Sequence, residues 1–123
     1  MRELESKSML EKPRFIQGIF AFEGRGLERP APLRPEAVYS VPPDKRAQLV
    51  YLRAGNPASD LIYLLVSVNG RPHRYFPIGA KASLHIPIAI VEDLAPESRL
   101  ELTVGAPEGL RGSVLVDIGL MEI

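Results

Sequence analysis

The chain has 123 residues, the size of one domain able to bury roughly two-thirds of its unfolded surface. Its 15 basic and 15 acidic residues cancel, which argues against a binder of nucleic-acid backbones, since that role needs a large positive excess. It contains no cysteine, so disulfides, thiolate metal sites and thiol nucleophiles are excluded, and no apolar run approaches the roughly 20 residues of a membrane-spanning helix.

Residues 1–12 read as a short N-terminal arm whose apolar grip is limited to Leu4, Met9 and Leu10. A helix of that length is marginal alone, and Pro13 would end it. The arm lacks the apolar centre of a secretion signal, so the expected compartment is the cytoplasm. Residues 13–123 are expected to form a single domain. The first strand falls at 15–22 and is broken by Gly24-Arg25-Gly26. Residues 27–36 carry Pro30, Pro32 and Pro35 and read as an extended surface loop. Strands follow at 37–41, closed by Pro42-Pro43, and at 48–53, closed by Gly55-Asn56-Pro57.

The clearest local signal comes next. Two β-rich runs over 61–76 flank Asn69-Gly70, a pair suited to a type I′ turn because both central residues of that turn need positive φ. A plain two-residue turn pairs Val68 with Arg71, Ser67 with Pro72, Val66 with His73, Leu65 with Arg74, Leu64 with Tyr75 and Tyr63 with Phe76. Pro77 would then fall at a hydrogen-bonded site, so the ladder is expected to end near Phe76. Residues 61–66 are apolar on both faces, which predicts a central strand covered on both sides.

Further strands are predicted at 82–90, with Leu84, Ile86, Ile88 and Ile90 on one face, at 99–104 and at 113–122. Residues 99–104 alternate cleanly, with Leu100, Leu102 and Val104 inward and Glu101 and Thr103 outward. Turns separate these runs at 92–97 and 106–109. About eight strands, frequent turn signals and no internal helix predict an antiparallel β-sandwich, jelly-roll-like, with an immunoglobulin-like sandwich as the alternative. Leu64, Val66, Ile86, Leu102 and Val116 are the expected core. Twelve prolines imply many short or edge strands.

No residue pattern carries catalysis. There is no Gly-x-Ser-x-Gly elbow, no phosphate-binding loop and no dinucleotide fingerprint. His73 and His85 are the only histidines, and a metal needs three or four ligands. Asp117 interrupts an apolar run and is read as a solvent-face or Arg-paired carboxylate. No catalytic residue, metal or cofactor is therefore expected. The best recognition surface is Arg71, His73, Arg74, Tyr75, Phe76 and Lys81, because aromatic and Arg side chains dominate binding hot spots. Tyr63, Leu65 and Phe76 would form a second apolar face needing a cover. These features predict a non-catalytic interaction or assembly subunit with a protein partner or self-association, no nucleic acid and no membrane. The alternative is a module that binds a small ligand or carbohydrate through Tyr75 and His73, against which the absence of Trp weighs.

Overall fold

A computed structural model describes residues 11–88 and 93–123. Among the described residues there are nine strands: β1 (Lys12–Glu23), β2 (Gly26–Ser40), β3 (Ala47–Gly55), β4 (Ile62–Val68), β5 (Arg71–Ile78), β6 (Ser83–Pro87), β7 (Asp93–Leu94), β8 (Arg99–Ala106) and β9 (Arg111–Glu122). All pairings are antiparallel. Sheet I has the order β5-β4-β8-β2; sheet II has the order β1-β9-β3-β6, and β7 also pairs with β3. A single bridge, Ala21 to Arg34, joins the two sheets. The protein is an antiparallel jelly-roll β-sandwich.

The core lies between the sheets because strand side chains alternate faces. Ile62, Leu64 and Val66 of β4 and Leu100, Leu102 and Val104 of β8 meet Leu52 of β3 and Val114, Val116, Ile118 and Leu120 of β9 in one cluster. Each of these side chains is fully buried, which contributes about 1.5–3 kcal/mol apiece before the entropy of ordering is subtracted. Four of the five expected core residues sit there. Ile86 does not: it is only partly buried, because β6 is the edge strand of sheet II and packs from the rim.

The β4–β5 hairpin has its turn as predicted, with φ of 52° at Asn69 and 79° at Gly70. The register departs from the plain hairpin after two pairs. A β-bulge leaves His73 as the extra residue, so Val66 pairs with Arg74, Leu65 with Tyr75, Leu64 with Phe76 and Tyr63 with Pro77. The slip of one residue moves Phe76 to the inner face beside Leu64. It also moves Pro77 to a site opposite Tyr63 where no N–H is needed, so the ladder runs on to Ile78 instead of ending at Phe76. Because β5 is the free edge of sheet I, Pro72 and Pro77 blunt that edge against further pairing.

The proline-rich stretch 27–36 is not a surface loop. It is the first two-thirds of β2, which pairs with β8 through two register shifts, Gly26 to Ala31 and Pro32 to Ala37. The irregular stretches take up the prolines, which cannot donate to a ladder, while Ala31, Leu33 and Ala37 still reach the core. The predicted arm at 1–12 and the segment containing Ile90 lie largely outside the described residues. Lys12 and Pro13 already belong to β1, opposite Glu122 and Met121.

Candidate functional site

The outer face of sheet II is built by register. Three rows cross β1, β9, β3 and β6: Phe15–Gly119–Tyr51–Pro87, Gln17–Asp117–Arg53–His85 and Ile19–Leu115–Gly55–Ser83. Each row combines residues from distant parts of the chain, and alternation turns all of them away from the core.

Gly119 shapes the first row. A side chain there would place its Cβ 2.1 Å from the Tyr51 ring, so the missing Cβ is what lets that ring lie across the strand. Four neighbours then hold Tyr51. Its hydroxyl donates to Asp117 Oδ1 at 2.8 Å. The Arg53 guanidinium stands 5.4 Å from its ring centroid, within reach of a cation–π attraction. His85 meets it edge-on with centroids 6.4 Å apart, and Gly119 lies beneath.

Asp117 is the polar centre. Gln17 Nε2 donates to the same Oδ1 at 3.0 Å. These bonds favour the charged form, so the Gln17 amide first and the Tyr51 hydroxyl second hold the carboxyl below its ordinary value, with Arg53 and His85 adding to the effect. Burial, then the bond to Asp117, raises the Tyr51 phenol. The phenol is therefore a fixed neutral donor, and Asp117 a fixed charged acceptor.

Apolar groups bracket this polar row. Phe15 is 54% exposed on one side, and Ile19 and Leu115 are exposed on the other. Beyond Ile19 and Leu115 the face dips into a recess of about 330 Å³ that also borders Asn56, Lys81, Ser83 and Ser113. Asn56 is buried and ties its loop together, donating to the carbonyls of Asp60, Ile78 and Gly79 and accepting from Ala58 N–H. The Lys81 N–H donates to the Ala58 carbonyl, so Lys81 is held at the rim. The face thus offers an exposed aromatic ring, an ordered row of donors and acceptors, and an apolar rim.

The six residues singled out from sequence do not converge. Arg71 and His73 are exposed near the hairpin tip; Arg74 is half-buried opposite Val66. Tyr75 is exposed on the outer face of sheet I, 5.5 Å from Tyr63 between ring centroids. Phe76 is 6% exposed and belongs to the core, which corrects its assignment to a surface. Lys81 stands on sheet II's side of the molecule. His73 and His85 lie on strands of different sheets, and among the described residues no group of three potential metal ligands comes together. Sequence reasoning missed Phe15, Gln17, Tyr51 and Arg53. The available signal was Asp117, a charge inside an apolar strand whose cross-strand partners had to be sought.

No protein-family model matches the sequence, and no curated protein matches it. Two solved structures share the fold. One is the CBM36-1 domain of a multidomain xylanase from the hindgut metagenome of Trinervitermes trinervoides, with a TM-score of 0.55 at 13% identity over 89% of this chain and 96% of that one. The other is a family 35 carbohydrate binding module from Clostridium thermocellum, with a TM-score of 0.52 at 15% identity over 89% and 97%. The expectation of an assembly subunit is corrected here: both neighbours are carbohydrate-binding modules, not assembly subunits, and what this chain shares with them is the fold. The physical premise of the assembly reading fails as well. The bulge takes Phe76 inward, and Leu65 is only 4% exposed, so the continuous apolar patch that called for a partner does not form.

Proposed function

We propose that the protein is a carbohydrate-binding module that docks a saccharide on the outer face of sheet II. The observation that carries this reading is the ordered row Gln17–Asp117–Arg53–His85 beside the exposed ring of Phe15 and the fixed ring of Tyr51. A sugar presents an apolar C–H face and a rim of hydroxyls. Aromatic rings take the first, and an alternation of donors and acceptors takes the second. Asp117 accepts from a hydroxyl, while Arg53 and Gln17 donate to one. The sandwich fold shared with two carbohydrate-binding modules supports the same reading. Native affinity electrophoresis against a panel of soluble polysaccharides tests it. At least one neutral polysaccharide should retard the protein, and Phe15→Ala should abolish the retardation without unfolding the domain. Unretarded migration with every polysaccharide would reject the proposal.

A further inference from the structure

The β4–β8 ladder, which pairs Val68 with Leu100, runs one step further at the hairpin tip, to Asn69 and Arg99. There the Asn69 N–H donates to the Arg99 carbonyl at 2.9 Å. The return bond is made by a side chain: Arg99 N–H donates to Asn69 Oδ1, also at 2.9 Å. The carboxamide thus stands where a backbone carbonyl would, and it is drawn across to β8.

Asn69 and Gly70 are both exposed, and asparagine followed by glycine is the pair most open to one intramolecular reaction. The Gly70 nitrogen gives up its proton to solvent and attacks Asn69 Cγ. A C–N bond forms, the Cγ–Nδ2 bond breaks and ammonia leaves. Water then opens the five-membered imide. Cleavage at Cγ gives aspartate; cleavage at the Asn69 backbone carbonyl gives isoaspartate, with the chain rerouted through Cβ and Cγ. Glycine favours the attack because no Cβ shields its nitrogen, and nothing lies within 4 Å of where a Gly70 Cβ would stand. The chain's other asparagine, Asn56, is buried and precedes Pro57, whose ring nitrogen has no proton to lose.

Ring closure needs Cγ and the Gly70 nitrogen brought together and aligned. The bond to Arg99 instead holds the carboxamide toward β8, and the turn fixes φ at 52° for Asn69 and 79° for Gly70. We propose that Asn69 is a conformationally gated deamidation site: its two hydrogen bonds to Arg99 keep it closed in the folded hairpin, and opening of the hairpin tip releases it. The consequence runs one way. Either product adds a negative charge to a chain whose formal net charge is zero. Isoaspartate also lengthens the main chain inside the turn, so the closing pair Val68–Arg71 cannot re-form in its register. The site belongs to sheet I and is independent of the saccharide reading.

The test incubates the full chain at mildly alkaline pH, folded and in guanidinium chloride. Peptide mapping by mass follows amide loss, and enzymatic methylation follows isoaspartate. In denaturant, conversion should occur at Asn69 and not at Asn56. In the folded chain, conversion at Asn69 should be at least about tenfold slower. Arg99→Pro deletes the donor to Oδ1 and should narrow that gap while the parent spectrum is kept. Where that variant does not fold, hydrogen exchange of the Arg99 amide in the parent serves instead. Sub-denaturing guanidinium chloride should then raise conversion in step with exchange of that amide. Equal rates in the folded and unfolded chains overturn the proposal, as does conversion that proceeds while the Arg99 amide stays protected. Faster conversion in the folded chain also overturns it, and would mean that Arg99 N–H activates the carboxamide instead of restraining it.

Discussion

Tyr51 and Tyr63 occupy matching positions on the two outer faces. Each stands directly opposite a glycine in register, Gly119 for Tyr51 and Gly105 for Tyr63, and each ring fills the space that a Cβ would need. Their hydroxyls go different ways. Tyr63 donates to the Leu27 carbonyl at 2.5 Å and so fastens the irregular start of β2 across sheet I. Tyr51 donates to Asp117, a side chain that also serves Gln17 and faces Arg53. One ring over a glycine is used to hold backbone; the other is used to order a row of side chains. The same local device thus yields a strap on sheet I and an ordered row of side chains on sheet II.

The largest expected effect separates inside from outside on sheet I. Phe76→Ala should cost about 3–5 kcal/mol in chemical denaturation, as large aromatic truncations in cores do, whereas Tyr75→Ala should cost about 1 kcal/mol or less. Equal costs would return Phe76 to the surface and remove the bulge at His73. Next come the glycines. Gly105→Ala and Gly119→Ala should each cost about 1–3 kcal/mol through overpacking against a tyrosine ring. Combining Gly119→Ala with Tyr51→Ala should cost less than the two single changes added together, because the clash is gone. Strict additivity in that cycle would mean that the ring does not lie on Gly119.

Removing one hydroxyl sharpens the contrast. Tyr63→Phe should lower stability by about 0.5–1.5 kcal/mol, the net value of a typical hydrogen bond, and leave saccharide retardation unchanged. Tyr51→Phe should weaken retardation while changing stability less. The reverse pattern would exchange the roles of the two faces. The smallest effect is in pH. Asp117 is held below the ordinary 3.8 by Gln17 and Tyr51. Its contribution to stability is therefore fully present above that value and is lost as pH falls through the lowered folded-state value. Denaturation midpoints of the parent should fall over that acid range more steeply than those of Asp117→Asn, and parallel profiles would show that Asp117 is not held by its neighbours.

Local patterns carried the reading of the fold where the information was local. Asn69-Gly70 marks its turn because only certain residues accept positive φ, and 99–104 shows its inner face by strict alternation. The bulge at His73 was hidden because nothing near it distinguishes the two registers. Burial of Phe76 opposite Leu64 decides between them, and that is a tertiary gain. The strand character of β2 was hidden for the opposite reason. Pro30, Pro32 and Pro35 speak against a ladder, and only the two register shifts opposite β8 reconcile them with one. The platform was least readable of all. Gln17 and Asp117 are 100 residues apart, and neither carries a motif; what joins them is the pairing of β1 with β9 along their whole length. Asp117 was noticeable as a charge among apolar residues, but its partners come from the topology.

The platform itself is tested most directly by locating a bound sugar. The neutral oligosaccharide that best retards the protein, titrated into the labelled chain and followed by amide chemical-shift changes, reports which face it touches. Shifts should concentrate at Phe15–Ile19, Tyr51–Arg53, His85 and Leu115–Gly119, and should vanish in Phe15→Ala. Shifts centred instead on Tyr63, Tyr75 and Arg71, with sheet II silent, would contradict the assignment and place recognition on the opposite face.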